Sequence, residues 1–183
     1  MSGPKLEDFE VLFSAQEIQQ RVAELGREIS RDLDPTSELI VVGVLKGAIM
    51  FMADLVRHLP GEVCCDFLRL SSYSGTQSTG TVRFDFDLTQ PIKGKDVLIV
   101  EDIVDTGLTM SFLLEALKVR NPRSLKICTL LHKPSRSQRD VPLAHVGFTI
   151  PNRFVIGYGL DYEGRYRNLD RIMALPDDYE DAQ

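Results

Sequence analysis

The sequence predicts an α/β fold in which a mainly parallel, twisted sheet is flanked by helices. Three observations lead there. Leu39 to Val44 and Asp96 to Val100 are short, near-continuous apolar runs, the pattern of strands covered on both faces. Apolar residues at helical spacing recur between such runs, as in Ile18, Val22, Leu25, Ile29 and in Met110, Leu113, Leu114, Leu117. Strand and helix therefore alternate, which calls for parallel strands joined by right-handed crossovers.

Taken in order, Ser14-Ala15-Gln16-Glu17 has the capping-box pattern and opens a helix over Ala15 to Asp32. The buried strand Leu39 to Val44 follows, then a helix from about Ala48 to His58. Val63 to Leu70 is a second strand. Val82, Phe84, Phe86 and Leu88 alternate with Arg83, Asp85 and Asp87, the period-two pattern of a half-exposed strand. Between these two lies the polar stretch Ser71 to Gly80, read either as a lid over a site or as a solvated hairpin loop. After the strand Asp96 to Val100, a helix over Thr109 to Arg120 is stopped by Asn121-Pro122. Leu125 to Leu131 and Phe154 to Tyr158 complete the strands. No repeat or linker divides the chain, so residues 1–183 are expected to form one domain. In sheets of this class ligands sit beyond the carboxyl ends of the strands, which directs attention to the residues after Val44, Val100 and Leu131.

Composition narrows the function. A net charge of -6 disfavours a nucleic-acid-binding surface, which needs clustered Lys and Arg. No apolar run approaches the roughly 20 residues of a membrane span. The start MSGPKLEDFE carries acids where a secretion signal needs basic and then apolar residues, so a cytoplasmic protein is expected. Cys64, Cys65 and Cys128 have neither disulfide-framework nor metal-ligand spacing.

The chemistry concentrates after Val100, in Glu101-Asp102-Ile103-Val104-Asp105-Thr106-Gly107-Leu108-Thr109. A strand end here feeds a helix N-terminus. Small and hydroxylated residues leave backbone N–H groups open to a phosphate, with Gly107 permitting close approach and Thr106 and Thr109 adding hydroxyls. Two adjacent carboxylates would repel a bare anion. They call for sugar hydroxyls or a divalent metal, and a phosphorylated ribose with magnesium provides both.

This stretch resembles the 5-phosphoribosyl 1-diphosphate signature of the type I phosphoribosyltransferases, and specifically their hypoxanthine-guanine branch. The resemblance runs over Val41 to Leu169 and implies that family's fold, including a small hood built from the chain termini. It implies that Glu101 and Asp102 hold ribose hydroxyls or Mg2+, that Asp105 through Thr109 hold the 5-phosphate, and that Asp105 is the base taking the purine's proton. Ile103 and Val104 lie within the same binding stretch. Leu45-Lys46-Gly47 resembles the pyrophosphate loop, whose Leu–Lys peptide bond can be cis; alone, the tripeptide is also explained by a Lys closing a strand. Ser72-Tyr73 looks like the flexible-loop pair, and Gln77 to Gly80 also matches.

Lys133, at the end of Leu130-Leu131-His132-Lys133, matches the lysine that donates to the exocyclic oxygen of a 6-oxopurine; His132 beside it should face the other way in an extended strand and is given no role. Ile150 to Arg167 is similar to the purine-binding segment. By that match Phe154 stacks on the base, backbone groups of Val155 and Asp161 read its edge, Asp161 also binds Mg2+, and Arg167 meets pyrophosphate. Without the family, Phe154 would be assigned to the core and Arg167 to a solvated surface. Leu108 departs from a position often basic or polar in relatives, and Arg153 stands where Lys is common.

The implied reaction makes IMP or GMP from hypoxanthine or guanine, through an oxocarbenium-like transition state with inversion at the anomeric carbon. The implied partners are phosphoribosyl diphosphate and a purine base, with no nucleic acid or membrane, in a homo-oligomer of two or four subunits. Two rivals stand beside it: a related transferase acting on xanthine or a pyrimidine, and a non-enzymatic sensor of the same fold that binds nucleic acid.

Overall fold

Helix α1, Ala15–Asp32, begins where the sequence places it. Ser14 N–H donates to Glu17 Oε2 (2.8 Å) and Glu17 N–H donates to Ser14 Oγ (3.3 Å), a reciprocal capping box. The computed structural model describes residues 5–34, 36–73 and 81–175. Within them the elements are β1 (Glu10–Phe13), α1, β2 (Leu39–Leu45), α2 (Ile49–Leu55), β3 (Val63–Tyr73), β4 (Thr81–Phe86), β5 (Asp96–Val104), α3 (Leu108–Lys118), β6 (Ser124–His132), β7 (His145–Thr149), β8 (Val155–Ile156) and β9 (Ile172–Ala174).

Six strands form the main sheet in the order β4-β3-β2-β5-β6-β7, all parallel except β4, which is antiparallel to β3. β2 has β3 on one side and β5 on the other, so the chain leaves these central strands in opposite directions. That is the switch point at which open α/β sheets form their ligand crevice.

Both faces are covered. Ile18, Val22, Leu25 and Ile29 of α1 pack with Phe51, Met52 and Leu55 of α2 on Val41, Leu98 and Val100. On the opposite face Met110, Leu113, Leu114 and Leu117 of α3 cover Ile40, Val42, Val97 and Ile99. Successive residues of β2 and β5 thus feed opposite cores, which is why their sequences read as continuous apolar runs.

A second, antiparallel sheet in the order β1-β9-β8 forms the hood that the resemblance implied. β1 and β9 were not visible in the sequence, because they are four and three residues long and carry too few positions to show a period. Arg153 ties this sheet together. Its Nε and Nη2 donate to the Leu175 carbonyl at 3.0 and 2.6 Å, and its Nη1 lies 2.6 Å from Glu10 Oε1.

Several boundaries differ from expectation. β5 does not stop at Val100 but continues through the acids to Val104, because β6 keeps pairing it as far as Val104↔His132. β3 does not stop at Leu70. It runs to Tyr73, since the antiparallel partner β4 pairs Ser72 with Val82 and Tyr73 with Thr81. β7 was absent from the sequence reading, and the proposed strand Phe154 to Tyr158 is reduced to Val155–Ile156 by the turns that follow. The Gln77 to Gly80 match, the centre of the proposed lid and the acidic tail lie outside the described residues.

Candidate active site

The register of β2 against β5 builds the crevice. They pair from Leu39↔Asp96 to Gly43↔Val100, and β2 then ends at Leu45 while β5 runs on to Val104. The loop after β2 consequently lies against the two acids. A Cβ added at Gly47 would overlap the Asp102 carboxylate, so with any other residue here the loop or the Asp102 side chain must shift. The Leu45–Lys46 peptide bond in this loop is cis, the isomer the resemblance allowed.

Alternation along β5 reverses at the acids: Leu98 and Val100 face the α1 side and Val97 and Ile99 the α3 side, but Ile103 packs with the first and Val104 with the second. Glu101 is 8% exposed, and its Oε2 is buried without a hydrogen-bond partner among the described residues. Burial, then the neighbouring Asp102 charge, raises the Glu101 carboxyl well above the ordinary glutamate range. Asp102 keeps a partly open face, yet burial still raises its pKa, against the opposing effects of bonds from Glu101 and the Ile103 N–H and of the Arg167 charge.

Immediately beyond, Gly107 adopts φ 79° and caps α3. Its left-handed conformation turns the chain so that the first-turn N–H groups of α3, which have no intrahelical partners, open beside Thr106 and Thr109. A cleft of about 110 Å³ is lined by Glu101, Ile103, Val104, Asp105, Thr106, Gly107, Thr109 and Met110. Leu108 is not among these residues, and its side chain is exposed.

Lys133 follows β6 and is buried, with its N–H donating to Val104 O at 3.0 Å. The Phe154 to Arg167 segment closes the other side of the crevice. Tyr158 OH donates to Asp54 Oδ2 (2.7 Å) on α2, and Gly159, at φ 102°, lies so near the Gly47 carbonyl that a Cβ would strike it. Arg167 Nη1 donates to Gly159 O (2.6 Å) and its Nη2 pairs with Asp161 Oδ1 (2.6 Å), while Asp161 Oδ2 accepts from Gly164 N–H (2.7 Å). Phe154 is 36% exposed and meets Tyr162 edge-on at 5.7 Å; Val155 is buried in β8.

The loop at Lys46, the acids, the turn at Asp105 and Arg167 thus converge on one crevice, although they lie up to 121 positions apart in sequence. Ser72 and Tyr73 are in the β3 backbone, paired with β4. Three parts of the arrangement had no sequence signal: the steric demand on Gly47, the Tyr158–Asp54 bond, and Arg136, whose Nε lies 3.2 Å from Asp105 Oδ1. Each is a contact between distant segments, and no local pattern marks it.

Hard carboxylate oxygens in a buried pair, one of them without a hydrogen-bond partner, suit a hard divalent cation. Among the described residues no three His, Cys, Asp or Glu side chains gather into a metal-binding group. Magnesium is commonly held by one or two carboxylates together with water and substrate phosphates, and the acid pair fits that mode.

A mainly parallel sheet with an acid pair and a helix N-terminus at its switch point places this chain among the α/β proteins that bind a small ligand beyond the carboxyl ends of their strands. Residues 10–163 match the family described as "Phosphoribosyl transferase domain". The chain is 52% identical over 171 residues to the hypoxanthine-guanine phosphoribosyltransferase of Mycobacterium avium, covering 90% of this chain and 84% of that one. It is 54% identical over 167 residues to the hypoxanthine phosphoribosyltransferase of Salmonella typhimurium, covering 89% and 93%. The solved structure of a Staphylococcus aureus hypoxanthine phosphoribosyltransferase superimposes with a TM-score of 0.88 at 44% identity, over 94% of this chain and 95% of that one. The chain belongs to the type I phosphoribosyltransferase family, in its hypoxanthine-guanine branch.

Proposed function

We propose that this chain transfers the 5-phosphoribosyl group of phosphoribosyl diphosphate to a 6-oxopurine, hypoxanthine or guanine, giving IMP or GMP and pyrophosphate. The observation that carries the reading is the buried Glu101–Asp102 pair, with its unpartnered oxygen, set between the Gly47 loop and the turn at Gly107. An acid pair next to an anion cradle suits a ligand with hydroxyls at one end and phosphate at the other.

In this reading Asp105 through Thr109 hold the 5-phosphate, and Glu101 and Asp102 accept from the ribose hydroxyls. Leu45, Lys46, Gly47 and Arg167 meet the diphosphate. Lys133 donates to the purine's exocyclic oxygen, Phe154 stacks on the ring, and backbone groups of Val155 and Asp161 read its edge. Ser72 and Tyr73 belong to the segment that excludes water from the cationic sugar. Asp105 accepts the proton that the purine nitrogen loses as it attacks. Mg2+, held by Glu101, Asp102 or Asp161, would neutralise the charge of the departing pyrophosphate. For Asp161 that role requires exchange of its Arg167 and Gly164 partners.

The direct test is incubation of the purified chain with phosphoribosyl diphosphate, Mg2+ and, separately, hypoxanthine, guanine and xanthine, with nucleotide followed by absorbance. IMP and GMP formation is expected. Nucleotide from xanthine alone, or from none of the three, would overturn the reading.

We also propose that residues 1–183 work as one domain in a homo-oligomer of two or four subunits. Exposed Ile49 and Met50 at the start of α2 support a subunit contact. No described helix is long and apolar enough to cross a membrane, and three free cysteines suit the reducing cytosol in which we place the enzyme.

A further inference from the structure

The turn that carries Asp105 is stapled to the segment that follows β6. Lys133 N–H donates to Val104 O (3.0 Å), and Gln138 and Arg139 N–H both donate to Thr106 O, at 3.0 and 3.1 Å. Gly107 sits so close to the Arg139 carbonyl that a Cβ there would lie 2.7 Å from its oxygen. Between these anchor points the chain makes the 3-10 turn Pro134–Arg136, closed by Arg136 N–H to Lys133 O at 3.1 Å. From that turn the Arg136 side chain reaches back to Asp105, its Nε donating to Oδ1 at 3.2 Å.

As an ion pair this contact contributes little to stability, because the two side chains are 49% and 37% exposed and water screens them. Its value is geometric. A carboxylate on a short turn can rotate about two bonds, and proton transfer needs one oxygen held within hydrogen-bond reach of the reacting nitrogen. A donor on a backbone-anchored turn holds one carboxylate oxygen and so orients the other. We infer that Arg136 is a positioning residue for Asp105: it holds Oδ1 so that Oδ2 presents to the purine's ring proton, and it keeps the base registered with Lys133, which heads the same turn. The inference rests on the reading of Asp105 as the general base. In this role Arg136 acts through Asp105 and not on the substrate itself.

The test uses the full chain with four variants: Arg136→Met, Arg136→Lys, Asp105→Asn and the Arg136→Met/Asp105→Asn double variant, each assayed with phosphoribosyl diphosphate, Mg2+ and hypoxanthine. Arg136→Met is expected to lower kcat roughly 10- to 100-fold, the scale of an ångström of misplacement, with the KM for phosphoribosyl diphosphate and the melting temperature little changed. Arg136→Lys, which keeps a donor, recovers part of that loss. In the Asp105→Asn background the Arg136→Met change has little further effect, since the group it orients no longer accepts a proton. Wild-type kcat in Arg136→Met while Asp105→Asn is strongly impaired would overturn the inference and leave the base assignment standing, as would losses that multiply in the double variant. Normal turnover in Asp105→Asn would overturn the base assignment, and this inference with it.

Discussion

Glu101 shows what the site costs at the scale of one residue. Its carboxyl is buried, one oxygen has no partner among the described residues, and its pKa lies well above the ordinary value of 4.5. The native state therefore holds a proton that the unfolded chain has released, and stability falls as pH rises from about 4.5 through that raised pKa. Glu101→Gln removes this penalty. We predict a higher melting temperature than wild type at pH 8, no gain at pH 4, where both chains carry a neutral group, and loss of nucleotide synthesis at either pH. Thermal melts at the two pH values, with an assay beside them, check all three. At Asp105 the expected change is in chemistry alone. Asp105→Asn should lower turnover about 10²- to 10⁴-fold, the usual contribution of a general base, while a direct titration shows phosphoribosyl diphosphate still bound.

At the scale of elements, the crevice exists because two neighbouring strands end at different heights. β2 stops at Leu45, β5 continues to Val104, and the space above the shorter strand is filled by the Lys46–Gly47 loop. Gly47 lies against the Asp102 carboxylate on one side, and on the other its carbonyl meets Gly159 so closely that a Cβ on Gly159 would strike it, so three segments share one contact. Gly47→Ala should push the loop off the acids. The expected result is a KM for phosphoribosyl diphosphate raised at least tenfold, the effect of about 1.4 kcal/mol, with the far end of the sheet undisturbed, as amide exchange in β6 and β7 would show. Unaltered kinetics in that variant would mean that the loop does not set the acids' position. The bounds of α1 were legible in sequence, since it carries its own capping box and apolar stripe, whereas the helix expected to reach His58 ends at Leu55 and gives way to a 3-10 turn. The ends of β3 and β5 were not, because there the strand is prolonged by its neighbour's pairing against a polar sequence.

Across the whole molecule, the crevice at one end of the sheet is balanced by an ionic lock at the other. Arg123, before β6, donates from Nε to Asp96 Oδ1 at the start of β5 (3.0 Å), pairs through Nη2 with Asp96 Oδ2, and reaches Asp34 after α1 with Nη1 (2.7 Å). Ser124 Oγ adds a bond to Asp96 at 2.5 Å. Arg123 above all holds the Asp96 carboxyl down at about 2, from 3.8, and does so against its burial. Between those values the native state binds fewer protons than the unfolded chain. The contribution is therefore complete above about pH 4 and lost as pH falls towards 2. Arg123→Met should lower stability at neutral pH, because Asp96 loses its charged donor and keeps only hydroxyl partners such as Ser124, and should flatten the acid limb of the stability curve. Turnover at 25 °C should stay as in wild type, because the lock is at the far end of the strands. Urea unfolding from pH 3 to pH 7 measures the first two, and a standard assay the third.

What the sequence determined by itself was local: the period of the helices, the continuous apolar strands, and a run of acids, small residues and hydroxyls whose chemistry suits a ribose phosphate. Those features depend on residues within one or two turns of each other, and they carry the family resemblance. The tertiary structure decided what depends on distance in space. It set the burial that raises Glu101, the glycine contacts that seat the Lys46 loop on Asp102, the pairing that extends β5 through the acids, and the approach of Arg136 to Asp105 across 31 positions. A carboxylate's pKa and a side chain's partner are properties of the surroundings, and the folded chain supplies them from segments that no local pattern connects.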